Sequence, residues 1–202
     1  MWAHAGCPVS PLRGHRAGQT GTVDADLVVL LDADRRPVGT MPKAEVHGPD
    51  TPLHLAFSVY VFDPDGRVLV TRRALHKTTW PGVWSNACCG HVRPGEEPID
   101  AARRRLGEEL ALTPVALEVL LPDFAYRATS AEGVVENEVC PVFAAVVEQD
   151  PTPWPDEVAE WTWADWPAYR DAAVRAPWLI SPWSALQVPL LPAEPYRVPS
   201  PA

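Results

Sequence analysis

The stretch that decides the fold is Trp80–Leu112, WPGVWSNACCGHVRPGEEPIDAARRRLGEELAL. It begins with a Pro-Gly turn and a short apolar run, and it then places a thiol and an imidazole two residues apart, at Cys89 and His91. After a second Pro-Gly turn, the spacing of the apolar residues predicts an amphipathic helix that ends at Glu108 and Glu109. The residues of its buried stripe are Ile99, Ala102, Leu106 and Leu110. A thiol, an imidazole and two carboxylates this close together indicate a reactive site.

Length and composition bound the class of protein. The chain has 202 residues and is 47% hydrophobic, which suffices for one domain with a real core. A formal net charge of −9 argues against nucleic acid as the main partner. Because no apolar run is long enough to span a membrane and residues 1–19 lack a signal-peptide pattern, we expect a cytoplasmic protein without a membrane partner. The spacing of the four cysteines is not that of a disulfide framework.

Strand-like segments separated by turn signals dominate the chain outside the predicted helix. The predicted strands are 27–31, 37–41, 55–62, 67–71, 115–121, 124–128, 134–147 and 160–163. Asp165 and Ser181, each followed closely by proline, predict the starts of two further helices. Hairpin turns such as Asp63-Pro64-Asp65-Gly66 imply antiparallel pairing. We therefore predict an α/β (α+β) fold in which a mixed sheet is sandwiched between helices.

The two termini differ in composition from the predicted domain. Residues 1–24 are rich in Gly, Pro, His and Arg and lack periodicity, so we interpret them as a flexible extension. Residues 192–202 form a Pro-rich tail. A single compact domain is accordingly predicted for residues 25–191.

Imidazoles and carboxylates outside the helix form a candidate metal site. Glu136 and Glu138 are two apart in a predicted strand, so both project from the same face while Asn137 faces away. Two adjacent carboxylates repel each other unless a cation lies between them, although an exposed polar strand end is the alternative. His47, His54 and His91 supply three further donors. Such a ligand set suits Mn²⁺, Zn²⁺ or Mg²⁺.

The predicted helix also carries five residues in the order and at the separations of the Nudix box, namely Gly90, Glu96, Arg104, Glu108 and Glu109. This motif stacks carboxylates on one helix face to hold a divalent cation against a diphosphate. Two positions depart from it, because Arg105 replaces a Glu and Ala111 replaces a Gly. The loss of a carboxylate weakens the metal cluster that hydrolysis needs. Arg105 instead adds to the basic residues within 72–77, whose side chains match diphosphate oxygens.

Taken together, these residues resemble the type 1 isopentenyl-diphosphate Δ-isomerases, a family with the Nudix fold. The resemblance runs from about Leu27 to about Leu190, and Cys-Gly-His at 89–91 and Glu-Asn-Glu at 136–138 are its most specific motifs. It implies a Nudix-like domain and an enzyme of isoprenoid biosynthesis. The implied reaction interconverts isopentenyl diphosphate and dimethylallyl diphosphate by moving a proton.

The resemblance further implies a role for each residue that matches the family. Cys89 and Glu138 match the catalytic pair, with Tyr126 as a hydrogen-bonding helper, and we expect Glu138 to donate the proton and Cys89 to accept it. Glu109 and the Cys89 backbone carbonyl match the site of the Mg²⁺ that accompanies the substrate diphosphate. The residues that match the ligands of the tightly bound metal are His47, His54, His91, Glu136 and Glu138.

The resemblance also implies two sets of substrate contacts. Arg73, Lys77 and Arg105 match contacts of the diphosphate, and Trp178 matches the aromatic residue that lines the pocket of the allyl group. A tryptophan face can stabilise a carbocation without reacting with it. Cys88 directly precedes the catalytic thiol, and a vicinal disulfide formed on oxidation would silence Cys89.

Two other functions remain open from the residues alone. A Nudix diphosphatase acting on nucleotide derivatives would account for the helix, but not for the two specific motifs, and Arg105 speaks against it. A non-catalytic binding module would use the His and Glu residues only to hold loops around a metal. For the isomerase we expect a monomer or a weak dimer.

Overall fold

The computed structural model describes residues 26–196, so the predicted extension and the end of the predicted tail lie outside the described chain. The strands are β1 Leu27–Leu31, β2 Pro37–Pro42, β3 His54–Phe62, β4 Arg67–Arg73, β5 Trp84–Ser85, β6 Cys88–His91, β7 Ala116–Leu121, β8 Ala125–Thr129, β9 Val135–Val139, β10 Val142–Val146 and β11 Val158–Asp165. The helices are α1 Lys43–Val46, α2 Pro98–Leu110, α3 Trp166–Arg175 and α4 Pro182–Gln187. Short 3-10 turns follow α3 and α4, at Pro177–Leu179 and Val188–Leu190.

The longest strand, β3, organises the sheet. It pairs antiparallel with β1, β4 and β6, and parallel with β9 and β10. Because parallel and antiparallel pairs meet on one strand, the sheet is mixed, as the sequence predicted. The same pairings bring the starts of β3 and the ends of β6 and β9 together, and this is where the polar residues converge.

Helices cover both faces of the sheet. Alternate residues of β3 point to opposite faces, so Phe57, Val59 and Val61 pack in the core beneath α2. Tyr60 and Phe62 belong to the second core, which α3 and α4 cover. The predicted sandwich of a mixed sheet between helices, in a single α+β domain, is therefore confirmed.

Two helix starts predicted from the sequence have the expected caps. The Asp165 carboxylate accepts a hydrogen bond from the Ala168 amide at 2.9 Å, at the start of α3. Ser181 Oγ accepts from the Ser184 amide at 3.3 Å, at the start of α4. In both helices a proline occupies one of the first positions, where a missing N–H costs nothing.

The segment 134–147, predicted as one strand, is two strands. Pro141 lacks an amide hydrogen and breaks the ladder, and its carbonyl accepts from the Ser58 amide at 3.0 Å. The chain therefore leaves the hairpin with β8 at Val139 and pairs with β3 and β7 from Val142. The connection between β2 and β3 contains the one-turn helix α1.

The end of helix α2 and the C-terminal end of the described chain add details that the sequence did not predict. Helix α2 ends at Leu110, and the capping residue Ala111 adopts the left-handed conformation with φ 55°. Packing also continues beyond the predicted boundary at residue 191, because Tyr196 stacks on Phe62 with ring centroids 4.6 Å apart. Trp166 Nε1 donates to the Ala193 carbonyl at 2.9 Å. No helix within residues 26–196 is long and apolar enough to cross a membrane.

Candidate active site

A cavity of about 540 Å³ opens among β4, β6, β8, β9 and α2. Its volume lies within the usual range for small-molecule sites. Two clusters of polar residues lie at this cavity, and every member except His54 lines it. The first, here called the metal end, consists of His47, His54, His91, Glu136 and Glu138. The second, here called the basic end, consists of Arg73, Lys77, Arg105, Glu109 and Glu157.

Strand pairing assembles the metal end. His54 is the first residue of β3 and lies opposite Glu138 of the parallel strand β9. His91 lies opposite Ala56 of β3, and His47 follows helix α1. The three imidazole rings have centroids between 5.0 and 5.3 Å apart. Residues from four separate parts of the chain thus converge, as the sequence hypothesis required.

The distances within the metal end are those of a ligand set. One ligand atom from each of His47, His54, His91 and Glu138 lies within 4.8 Å of all the others. Glu138 Oε1 is 3.5 Å from His54 Nε2 and 3.6 Å from His91 Nε2. Glu136 lies beside this group, with Oε2 2.9 Å from His47 Nε2.

Unpartnered polar atoms show that these residues fit a divalent cation. Among residues 26–196, the buried atoms His47 Nε2, His54 Nε2, His91 Nδ1 and Glu136 Oε2 have no hydrogen-bond partner. Burying such atoms is unfavourable unless something compensates them. His54 Nδ1 lies 2.9 Å from the Pro52 carbonyl, which fixes the ring so that Nε2 faces the cluster. The group is therefore compatible with a divalent metal.

Burial and charge shift the titration of this cluster. Burial lowers the pKa of His91 to about 4, against the opposing effect of its contact with Glu138. Burial raises the pKa of Glu138, but its close contacts with the His54 and His91 imidazoles outweigh burial and hold that pKa well below its usual range. Burial and the neighbouring Glu138 charge raise the pKa of Glu136. Neutral imidazoles beside a carboxylate are the forms that bind a metal.

Cys89 and Tyr126 lie next to the metal end and line the cavity. Tyr126 lies directly opposite Glu138 in the β8–β9 pair, so the two side chains share a face. Burial raises the pKa of Tyr126 well above its usual range, so its phenol stays a hydrogen-bond donor. Burial also raises the pKa of Cys89 to about 12, against the opposing hydrogen bonds of Ser58 and Asn86. The thiol is therefore protonated at neutral pH.

The basic end has charges that are paired with one another. The Arg105 guanidinium forms ion pairs with Glu109 and Glu157, the second at 3.3 Å. Lys77 forms an ion pair with Glu157. Burial raises the pKa of Glu109 in spite of the charge of Arg105. All four side chains line the cavity, so the cations of the basic end are held at its wall by their carboxylate partners.

Arg73 joins the basic end to the aromatic wall of the cavity. Its guanidinium donates to the Thr79 carbonyl at 2.9 and 3.1 Å. It also lies over the ring of Trp183, 5.5 Å from the centroid. The positive charge of Arg73 therefore lies beside the indole ring of Trp183.

The tryptophan that lines the cavity is Trp183. The prediction that Trp178 lines the pocket of the allyl group therefore has to be corrected. Trp178 is 77% exposed and lines a separate surface depression beside Leu179 and Leu186. Trp183 is 3% exposed and lines the cavity, and its Nε1 donates to Ser85 and Asn86 at 2.9 and 3.0 Å. Each tryptophan directly follows a proline, Pro177 or Pro182, so their local sequences are alike. Only the packing of the folded chain distinguishes them.

The two adjacent cysteines have different surroundings. Neighbouring residues of a strand face opposite sides, and Cys88 Sγ lies 3.4 Å from Glu109 Oε2, against helix α2. Cys89 Sγ instead lies 3.3 Å from Ser58 Oγ. Both thiols are free. A disulfide between Cys88 and Cys89 would require both side chains to turn to the same side of the strand. The structure therefore does not favour the predicted inactivation of Cys89 by oxidation.

Sequence reasoning missed two side chains at the cavity. Lys43 lines it from helix α1, four residues before His47, and that spacing is the signal that would have found it. Asn86 is buried beside Cys89, and its amide nitrogen donates to the Val59 and Cys88 carbonyls at 3.0 Å each. No short motif around Asn86 predicts these contacts.

Comparison with known proteins gives a consistent result. The profile of the NUDIX domain family matches residues 52–184. An isopentenyl-diphosphate Delta-isomerase of Frankia alni is 63% identical over 163 residues, which are 81% of this chain and 84% of that protein. The protein of the same name from Mycolicibacterium vanbaalenii is 57% identical over 175 residues, 87% of this chain and 95% of its own length.

Solved structures agree on the fold. A protein of Deinococcus radiodurans has a TM-score of 0.63 and 18% identity, and the match covers 81% of this chain and 97% of that one. The MutT protein of Methanosarcina mazei has a TM-score of 0.54 and 18% identity, with 68% and 91% covered. At this identity the likeness concerns the fold alone.

Proposed function

Because the chain belongs to the isopentenyl-diphosphate Δ-isomerase family, which has the Nudix fold, we propose that it interconverts isopentenyl diphosphate and dimethylallyl diphosphate by moving a proton across the alkene. The observation that carries the proposal is that Cys89 and Glu138 line one cavity, which also holds Trp183 and the basic end. An acid, a base, an aromatic wall and phosphate-binding cations are the groups that this reaction needs.

Cys89 and Glu138 act as an acid and base pair. An alkene is a poor base, so its protonation requires a positioned acid, and a second group then removes a proton from the neighbouring carbon. Since the reaction is reversible, the group that donates in one direction accepts in the other. Burial leaves the proton on the Cys89 thiol, whose pKa is about 12. The prediction that Glu138 donates and Cys89 accepts for isopentenyl diphosphate requires the opposite distribution, a protonated Glu138 and a Cys89 thiolate, and it stays a prediction.

We assign Tyr126 to the proton transfer at Glu138 and Trp183 to the carbocation intermediate. The Tyr126 phenol lies opposite Glu138 on the neighbouring strand, and we assign it the role of hydrogen-bond donor to that carboxylate. A tertiary carbocation forms when the alkene is protonated, and the indole face of Trp183 stabilises it by cation–π attraction. The buried walls exclude water, which would otherwise trap the cation.

The metal end holds Glu138 in place. His47, His54, His91, Glu136 and Glu138 hold a divalent ion, for which Mn²⁺, Zn²⁺ and Mg²⁺ suit the donors. When bound, this ion supplies a fixed positive charge that offsets the repulsion between the two carboxylates. The chain's own contribution is to orient the carboxylate, through His54, His91 and the Tyr126 phenol.

The basic end binds the diphosphate. Arg73, Lys77 and Arg105 contact its oxygens, and Lys43 adds a fourth cation at the rim. Glu109 and the Cys89 backbone carbonyl hold the Mg²⁺ that accompanies the substrate. Binding energy from the charged tail thus positions the five-carbon chain between Cys89 and Glu138.

Incubation of the purified protein with isopentenyl diphosphate and Mg²⁺ in deuterated water tests the function. We expect dimethylallyl diphosphate that carries deuterium in its methyl group. The variants Cys89→Ala and Glu138→Gln should each lose about 10²–10⁴-fold in turnover, since each removes a proton-transfer group. NMR of the product and the metal content of each variant are measured together.

The matched control is Asn137→Ser, because Asn137 lies between the two glutamates and its amide donates to the Thr51 carbonyl, away from the cavity. It should keep its turnover within a few-fold. Normal turnover by Cys89→Ala would overturn the mechanism, and a wild-type protein that forms no dimethylallyl product would overturn the function.

A diphosphatase is the less favoured alternative. Arg105 replaces a carboxylate of the Nudix box and is paired with Glu109, so the helix offers fewer oxygen ligands for hydrolysis. Phosphate release from a panel of nucleoside diphosphate derivatives distinguishes the two activities. The cytoplasmic location, the boundaries of the domain, the monomer or weak dimer and the absence of nucleic-acid and membrane partners stay predictions.

A further inference from the structure

A chain of buried hydrogen bonds reaches Cys89 from behind the cavity wall. Tyr60 and Ser58 lie on β3, Gln187 is the last residue of α4, and each is fully buried. Tyr60 Oη donates to Gln187 Oε1 at 3.0 Å, and Gln187 Nε2 donates to Ser58 Oγ at 3.0 Å. Ser58 Oγ lies 3.3 Å from Cys89 Sγ. The proposed reaction uses only the last of these four groups.

The direction of these bonds determines where the Ser58 proton goes. Tyr60 can donate only to the amide oxygen of Gln187, so the amide nitrogen of Gln187 faces Ser58. Ser58 Oγ is then an acceptor from Gln187, and its single proton is free for a sulfur. Two sulfurs are within reach, Cys89 Sγ at 3.3 Å and Cys140 Sγ at 3.4 Å.

Strand register favours Cys89 as the partner of Ser58. The two residues lie directly opposite each other in the antiparallel β3–β6 pair, so their side chains leave the sheet on the same face. Cys140 lies in the break between β9 and β10 and is fully buried, with no proposed part in the reaction.

Asn86 contacts the same sulfur from another side chain. Its Nδ2 lies 3.2 Å from Cys89 Sγ, and its Oδ1 lies 3.3 Å from that sulfur. The amide oxygen also accepts from Ser85, Trp183 and Ser184, at 2.9, 3.0 and 3.1 Å, so these donors compete with the thiol for it. Ser58 and Asn86 together therefore hold the sulfur at the cavity wall.

We propose that Ser58, oriented by Gln187, is a positioning residue that holds the Cys89 sulfur in place at the cavity for proton transfer. The inference rests on the proposed isomerase function, in which Cys89 moves the proton. Three polar groups buried away from the cavity are costly unless all of them are satisfied, and here each has a partner. Tyr60 holds Gln187, Gln187 holds Ser58, and Ser58 holds the sulfur.

The variant Ser58→Ala tests the proposal, with Cys140→Ala as the matched control. We expect Ser58→Ala to lower kcat about tenfold, as for the loss of one hydrogen bond, with KM within about twofold and the metal content unchanged. Cys140→Ala removes only the competing sulfur and should keep kcat within about twofold. Tyr60→Phe, which removes a single hydroxyl at the far end of the chain, should lower kcat by about two- to threefold with KM unchanged.

A spectroscopic measurement separates this inference from the function itself. Raman difference spectra against Cys89→Ala identify the S–H stretching band of Cys89, and Ser58→Ala should shift that band whether or not the protein isomerises anything. The proposal is overturned if the band does not move, or if kcat of a folded Ser58→Ala protein equals that of the wild type.

Two further outcomes also decide the matter. If Cys140→Ala loses as much kcat as Ser58→Ala, the hydroxyl serves Cys140 and the proposal is wrong. If Ser58→Ala does not fold, the two measurements on Tyr60→Phe take its place, and an unchanged kcat with an unchanged band overturns the proposal. A wild type without isomerase activity would refute the function while leaving the band shift as a test of the contact.

Discussion

The metal end and the basic end of the cavity solve the problem of buried charge in opposite ways. At the basic end, Arg105 and Lys77 are paired with Glu109 and Glu157, so the protein supplies its own counterions. At the metal end, the two carboxylates face imidazoles, and buried atoms such as His54 Nε2 have no hydrogen-bond partner among residues 26–196. Arg105 Nε also lacks such a partner, but the carboxylates of the basic end are paired with cations of the chain, whereas those of the metal end are compatible with a divalent cation.

The difference indicates what each end contributes. A region whose charges are internally paired folds without its ligand and can release the ligand after the reaction. A region with unpartnered carboxylate and imidazole groups retains its cation, because the folded protein is more stable with it bound. In the proposed function, the metal end is therefore a permanent site beside Cys89 and Glu138, and the basic end is an exchangeable site for the charged substrate.

The strongest way to break this contrast is His54→Ala at the metal end. His54 contacts Glu138 at 3.5 Å and is fully buried, so its loss removes a ligand and misplaces the carboxylate. We expect turnover to fall by at least about 10³-fold and the bound metal to be lost. Steady-state kinetics and elemental analysis measure the two effects.

The control for this variant is His76→Ala, since the imidazole of His76 is exposed and forms only a distant pair with Asp156, at 3.7 Å. That variant should retain its metal. A His54→Ala protein with full metal content and normal turnover would refute the role of the metal end.

The rate at which Cys89 is alkylated reports how strongly the thiol is buried. Only the thiolate is alkylated, and burial raises the pKa of Cys89 to about 12, so the labelling rate should rise about tenfold per pH unit toward that value. At pH 8 we expect labelling of the metal-free protein to be about 10³-fold slower than in urea, where the pKa is about 8.5. Mass spectrometry of the peptide that contains Cys89 follows the reaction, and equal rates with and without urea would contradict the burial of this thiol.

At the basic end, Arg105→Ala should weaken substrate binding more than it affects chemistry. A charge-assisted hydrogen bond contributes about 1.5–3 kcal/mol, so KM should rise about 10- to 100-fold with a smaller change in kcat. The metal content should stay unchanged, in contrast to His54→Ala. Arg103→Ala is the matched control, because Arg103 lies on the exposed side of the same helix. An unchanged KM in Arg105→Ala would remove this residue from the diphosphate site.

The smallest expected effect concerns helix α2, which carries Arg105 and Glu109 of the basic end. Ala111 has a left-handed conformation, φ 55°, which is unfavourable for a residue with a Cβ. Ala111→Gly should therefore raise the free energy of unfolding by about 1 kcal/mol, measured by denaturant titration. Ala172→Gly, in the middle of α3, should lower it by about the same amount. Destabilisation by both variants would show that the conformation at Ala111 carries no strain.

Much of the fold and the site follows from the sequence. Alternation and turn signals predicted most of the strands, and Asp165 and Ser181 predicted two helix starts, because these signals act over a few residues. Cys89, His91, Glu136 and Glu138 also carried their chemistry in short motifs, and the structure brings the last three together at the metal end.

Other features depended on the tertiary structure. The sequence did not distinguish Trp183 from Trp178, because both stand near prolines in the same segment, and only packing decides which indole reaches the cavity. It did not predict the break at Pro141, where pairing passes from one neighbouring strand to another. Nor did it connect Gln187 with Ser58, which are 129 residues apart. The sequence alone determined which groups are candidates for the chemistry, since reactivity belongs to residue types and short spacings, whereas only the folded chain decided which buried side chains contact them, because those contacts join distant segments.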